Sequence, residues 1–74
     1  MVALSLSECF PSNLRRQRRL AKLTQEKLAH RAGLHRNVVG LLERGEQSPT
    51  LRTIDRLAEA LGIPPRDLLS EIAD

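Results

Sequence analysis

Apolar residues along this chain recur at steps of three and four, and short breaks marked by Gly or Pro separate the runs. Pro11, Gly33, Gly45, Pro49, Gly62, Pro64 and Pro65 act as punctuation. The pattern predicts five short helices. The first spans about residues 13–22, with Ser12 as its N-cap just after Pro11. The second spans about 25–32, capped by Thr24 and stopped at Gly33, where a left-handed backbone needs no Cβ. The third spans about 36–43 and ends before Gly45. The fourth spans about 51–61, capped by Thr50, with Leu51, Ile54, Leu57, Ala58 and Leu61 on one face. The fifth starts at Pro65, whose missing N–H suits a first helical position, and carries Leu68, Leu69 and Ile72.

The first residues break this rhythm. Val2, Leu4 and Leu6 alternate with Ala3, Ser5 and Ser7, a period of two. Such a stretch is either an arm that pairs with a partner chain as a strand, or a frayed terminus or flap over the core. The chain accordingly divides into an N-terminal arm or flap, 1–12, and a single domain, 13–74.

Length leaves no room for a second domain: the chain has 74 residues. Its 41% hydrophobic content is enough for one core without a metal or disulfide staple. Cys9 is the single cysteine, which excludes an internal disulfide framework and points to a reducing compartment, the cytoplasm. No apolar run approaches the ~18 residues of a membrane span. Met1–Phe10 has no basic n-region, so no cleaved signal peptide is expected. Helix 1 lacks the broad apolar face and aromatics of a membrane-surface helix.

Charge sharpens the picture. Residues 1–45 hold nine Lys and Arg against Glu8, Glu26 and Glu43, a balance of +6, whereas residues 46–74 stand at −3. A basic half joined to an acidic half suits one face for a polyanion and another kept away from it. Phe10 is the only aromatic residue. Single-strand binders and RNA-recognition sheets stack bases on several aromatics, so duplex DNA, held through phosphates and base edges, is the favoured partner.

The segment Gln25–Arg44 is the most specific part of the chain. Ala29 is small where two helices must approach, Gly33 sits at the turn, and Leu28, Ala32, Leu34, Val39 and Leu42 supply apolar contacts between them. Two helices joined by a short Gly-bearing turn make a helix-turn-helix. Here the chain resembles the phage-repressor/Cro-type (XRE) helix-turn-helix family. The likeness rests on Leu23-Thr24-Gln25-Glu26-Lys27-Leu28-Ala29, Ala32-Gly33-Leu34, Leu42-Glu43-Arg44-Gly45, Pro49-Thr50-Leu51 and Leu57-Ala58-Glu59-Ala60-Leu61-Gly62. It covers about residues 13–72. The stretch from Leu34 to Glu46 also looks like small restriction–modification controller proteins.

The resemblance implies an all-α, five-helix bundle of lambda-repressor-like type, with helix 3 in the major groove and helix 2 across the DNA backbone. The base-reading set is then Arg36, Asn37, Gly40 and Leu41. Arginine can pair bidentately with guanine O6 and N7, asparagine with adenine N6 and N7, and leucine can touch a thymine methyl. Arg36 on a phosphate and Leu41 half-exposed and unused are the competing readings. Gly40 and Leu41 depart from the family, which often places polar base readers there; Gly40 would let the backbone lie close to the groove.

Phosphate contacts fall to Thr24, Gln25, His35 and Arg44. The N–H groups at the start of helix 2 form a phosphate seat, and the family's glutamine at the place of Gln25 clamps the backbone there. The alternatives leave Thr24 as a plain cap, Gln25 in solvent and His35 as a cap of helix 3. The family also implies an internal ion pair between Arg18 and Glu43, which makes Arg18 structural.

His30 and His35 stand five apart and Cys9 is remote, so no metal site and no cofactor are expected. No nucleophile–base pair or paired carboxylate site suggests an enzyme. The expected function is a dimeric, sequence-specific transcriptional regulator, cytoplasmic and nucleoid-associated. It reads an inverted repeat with half-sites about 10 bp apart. The homodimer surface belongs on the acidic half, at Ile63, Leu69 and Ile72. Activation would add a contact with RNA polymerase; repression needs only occlusion. The rival reading is a protein-interaction module, such as an antitoxin-like partner, binding through its C-terminal helices.

Overall fold

The computed structural model describes residues 6–70. Its helices follow in the order α1 (Leu6–Leu20), α2 (Gln25–Ala32), α3 (Val38–Glu43), α4 (Leu51–Leu61) and α5 (Arg66–Leu69), with no strand among the described residues. Thr24 and Thr50 stand in extended backbone before α2 and α4, and their hydroxyls accept the N–H groups of Lys27 and Thr53, each at 3.1 Å. Such a cap contributes about 1 kcal/mol and marks the helix start locally, which is why both boundaries are readable from sequence.

The first four helices end on one device. After α2, the Gly33 and Leu34 N–H groups reach back to the His30 and Ala29 carbonyls while Gly33 takes φ 70°. After α1 the same pair of bonds runs from Lys22 to Arg19 and from Leu23 to Arg18, but the left-handed residue is Lys22, at φ 58°. A side chain there costs roughly 1–2 kcal/mol that glycine would avoid. Lys22→Gly is therefore expected to raise stability by about 0.5–1 kcal/mol after glycine's greater unfolded-state freedom is counted. An unchanged or lower urea midpoint would overturn that assignment.

Three helices differ from the sequence reading at their boundaries. Helix α1 begins at Leu6, not near residue 13, and Pro11 lies inside it. Burial outweighs the proline penalty: Cys9, Phe10, Asn13 and Leu14 are all buried within this helix. Ser12 caps nothing; its hydroxyl donates to the Cys9 carbonyl at 3.3 Å. Residues 6–12 thus lie in α1, with Cys9 and Phe10 in the core, and of the alternating stretch Met1–Ser7 the residues Met1–Ser5 lie outside the described residues. Helix α3 starts at Val38, two residues late, because Arg36 and Asn37 form a turn in front of it. Helix α5 begins after Pro65 and stops at Leu69, where Ser70 returns to extended backbone. Ile72 falls outside the described residues.

One core joins all five helices. Phe10 and Leu14 of α1, Leu28 of α2, Val39 and Leu42 of α3, Leu57 of α4 and Leu68 of α5 are each at most 1% exposed. Helix α1 packs on α3 and α5, and α2 packs on α3 and α4. This pins the α2–α3 pair from both sides. Leu51 does not join the core and is 79% exposed. Successive 100° steps place it about 70° off the centre of the Ile54–Leu61 stripe, at the open end of α4.

Asn13 is the polar exception, fully buried in α1. Its amide donates to the Leu68 carbonyl at 3.1 Å and the Ser70 carbonyl at 2.7 Å. Those groups are the unsatisfied end of α5, so Asn13 stands in for the turn of helix that would otherwise bond them. Its Oδ1 has no hydrogen-bond partner among the described residues.

Candidate nucleic-acid interface

The α2–turn–α3 unit is organised around one buried carboxylate. Glu43, the last residue of α3, has a side chain 1% exposed. Arg18 of α1 meets it with two parallel bonds, Nε to Oε2 at 2.6 Å and Nη2 to Oε1 at 3.0 Å. The third Arg18 nitrogen, Nη1, donates to the Leu23 carbonyl at 2.9 Å. Gln25, the first residue of α2, gives its Nε2 to Glu43 Oε1 at 3.1 Å. Arg15 completes the set, with Nη2 on the Glu43 carbonyl at 3.1 Å and Nε 3.6 Å from Oε1.

Helices α1, α2 and α3 are thereby tied to a single group by charge-assisted bonds. Burial pushes the Glu43 carboxyl up, but hydrogen bonds from Arg18 and Gln25 and the charges of Arg18 and Arg15 outweigh it and hold the carboxyl below its usual range. The bond to Glu43 in turn raises the Arg18 guanidinium, against a smaller opposing effect of burial.

In front of this hub lies an open groove. The start of α2 contributes Thr24, Gln25 and Glu26 to its walls. The α3 side contributes Arg36, Asn37, Gly40, Leu41 and Arg44. The structure thus brings together every residue assigned to DNA contact except His35. Arg36, Asn37, Arg44 and Thr24 are exposed, Gln25 and Leu41 are half-buried, and Gly40 is buried. Gly40 and Leu41 share one side of α3, with Arg36, Asn37 and Arg44 in the turns that flank it, while Val39, Leu42 and Glu43 take the other.

Individual placements refine the picture. His35 is exposed, and its Nδ1 accepts the Asn37 N–H at 3.2 Å. The Val38 N–H bonds the His35 carbonyl at 3.0 Å, so His35 ties down the turn that starts α3. With Nδ1 as acceptor, the neutral ring carries its proton on Nε2, a donor facing outward. Thr24 uses its oxygen on Lys27 and keeps its O–H to donate. Arg44 pairs with Glu46 at 3.1 and 3.3 Å, both side chains exposed, a contact worth little that a phosphate can displace. Glu26 puts a carboxylate on the groove wall that sequence reasoning did not foresee. Gly40 does not offer an open backbone edge: a Cβ there would sit 3.1 Å from Arg44 Nη1 and 3.2 Å from Gln25 Oε1.

Sequence reasoning also missed Arg15 and the Gln25 bond to Glu43. The first had a signal, since Arg15 lies three residues before Arg18 and so on the same side of α1. The second joins residues 18 apart and had none. Of the residues assigned to a dimer surface, Ile63 and Leu69 are half-buried and pack on the core.

A helix-turn-helix family model matches residues 14–68 of this chain. The chain belongs to the helix-turn-helix family of DNA-binding transcriptional regulators. Among family members, control protein C.BamHI of Bacillus amyloliquefaciens is 45% identical over 56 residues, 73% of this chain and 69% of that protein. Control protein C.SmaI of Serratia marcescens is 39% identical over 67 residues, covering 90% and 80%. The crystal structure of the restriction-modification controller protein C.AhdI from Aeromonas hydrophila superimposes with a TM-score of 0.78 at 43% identity. That match covers 85% of this chain and 92% of C.AhdI. The helix-turn-helix core of the present chain is all-helical, as the family resemblance implied. Among the described residues no group of three or more His, Cys, Asp or Glu side chains could hold a metal ion, and no helix is long and apolar enough to cross a membrane.

Proposed function

We propose that this regulator binds an inverted-repeat duplex operator as a two-fold homodimer, with the exposed side of α3 from each copy in a major groove. The observation that carries the reading is the shared groove. It sets Arg36 and Asn37 at the entry of α3 beside Gln25 and Arg44, on a pair of helices locked from behind by Glu43. Arg36 reads a guanine and Asn37 an adenine or phosphate. Leu41, half-buried, presents a methyl edge to thymine. Thr24 O–H, the Gln25 backbone N–H at the start of α2, His35 Nε2–H and Arg44 hold phosphates on either side.

One helix-turn-helix reaches few base pairs, so useful affinity asks for two copies with half-site centres about 10 bp apart. The acidic half, with Ile63 and Leu69, faces away from DNA and forms the contact between copies. Regulation by occlusion needs nothing further, and activation would place RNA polymerase beside this dimer. Such a protein acts by binding alone, without catalysis, in the cytoplasm where the nucleoid lies.

In-vitro selection of the purified chain on random duplex DNA at moderate salt tests the reading. An inverted repeat with half-sites about one helical turn apart is expected. Retention without an enriched motif would mean phosphate affinity only, and the base-reading roles would fall. No retention, with a second protein tightly bound instead, would favour the antitoxin-like interaction module.

A further inference from the structure

Position 40 sits at the centre of the groove-facing side of α3, where a reader side chain would be most valuable, yet it has none. Gly40 is nevertheless buried, because two neighbours fill the space. A Cβ built there would lie 3.1 Å from Arg44 Nη1 and 3.2 Å from Gln25 Oε1, closer than ordinary van der Waals contact, with Gln25 Cδ at 3.7 Å. Arg44 reaches it from one turn further along α3, and Gln25 from the start of α2.

Gln25 is not free to swing aside. Its Nε2 is held by the Glu43 carboxylate at 3.1 Å, and a carboxylate accepts but cannot donate. That fixes which end of the amide faces which way: the donor goes to the hub and the acceptor, Oε1, lies over Gly40. Arg44, by contrast, is tethered only through an exposed pair with Glu46.

We propose that Gly40 is a specificity-determining position that works by leaving room. Its bare Cα seats the Gln25 carbonyl and the Arg44 guanidinium over the middle of α3, so these two side chains present the acceptor and the cationic donors that face the DNA there. An acceptor at that place suits the amino group of adenine or cytosine, and an arginine suits guanine or a phosphate. The absent side chain also accounts for the tolerance of glycine in a helix of six residues, where alanine would propagate better. This inference rests on the major-groove reading above.

Gly40→Ala is the direct test, made on the full chain with the duplex recovered by selection with the unaltered protein as probe. Three results are expected together. The thermal midpoint changes little, since the better helix propensity of alanine offsets the shift forced on Gln25 and Arg44. Affinity for the selected duplex falls about tenfold while affinity for sheared mixed-sequence DNA changes less than about twofold. In a Gln25→Ala, Arg44→Ala background, adding Gly40→Ala costs less than about twofold, because the side chains it would displace are gone. Selection repeated with Gly40→Ala then returns altered base preferences within each half-site.

Unchanged affinity and base preference would overturn the proposal, as would the same tenfold loss in the doubly substituted background. A lower midpoint accompanied by equal losses on both DNAs would overturn it in favour of a purely structural glycine. Failure of the unaltered protein to enrich any sequence is a different result: it removes the base-reading function itself, and the role of Gly40 with it.

Discussion

Glu43→Ala is expected to cost about 3–5 kcal/mol of folding stability, the usual loss when one member of a buried ion pair is removed. The reason lies in what remains behind. Arg18, with a side chain 13% exposed, would keep its charge and lose two bonds, and Gln25 would lose its anchor to α3. At roughly 0.05–0.15 kcal/mol per residue, a domain of this size has only about 4–11 kcal/mol in total. The variant therefore stands near the edge of folding, and urea denaturation at neutral pH measures the loss directly. Glu43→Gln keeps an acceptor for Arg18 but not the charge and should fall between the two.

Acid acts on the same group. The folded-state carboxyl of Glu43 lies below its ordinary value, so the folded form holds its proton less tightly than the unfolded chain does. The stabilisation is present above the ordinary glutamate range and disappears as pH falls through the folded value. Stability of the unaltered chain should thus drop on acidification more than that of Glu43→Gln. Parallel pH profiles for the two, or a loss under about 1 kcal/mol in Glu43→Ala, would show that the hub does not hold α1, α2 and α3 together.

Arg36→Ala is expected to weaken binding to the selected duplex by about 1–3 kcal/mol while leaving mixed-sequence binding nearly intact. Arg36 is exposed in the turn that opens α3, so truncation costs the fold little. Its loss should relax selection at one base position per half-site. A uniform loss on all DNAs, with a shallower salt dependence, would instead make Arg36 a phosphate contact. Competition binding at two salt concentrations separates these outcomes.

Local signals were legible wherever a single residue type decides the backbone. Thr24, Thr50, Gly33 and Gly62 mark the limits of α2 and α4 because a capping hydroxyl and a left-handed glycine act within one turn. The same locality explains the failures. Pro11 reads as a boundary, yet Phe10 and Leu14 are driven into the core from both sides of it. Lys22 gives no sign that it takes a left-handed conformation, because the requirement comes from the path of the chain into Leu23 and α2. Asn13 carries no burial signal of its own, and only the docking of α5 on α1 makes it a buried donor.

By itself, the sequence determined the all-helical class and the helix-turn-helix register, because these follow from spacing along each helix and from glycine at one turn; the groove residues came from the family resemblance. What the tertiary structure alone decided is how those residues are held. Gln25 points its amide donor inward to Glu43, Arg15 joins Arg18 on the same carboxylate, and Gly40 is filled by its neighbours. Each of these joins positions whose meeting depends on three helices packing at once, and helical periodicity carries no information about partners that lie on different helices.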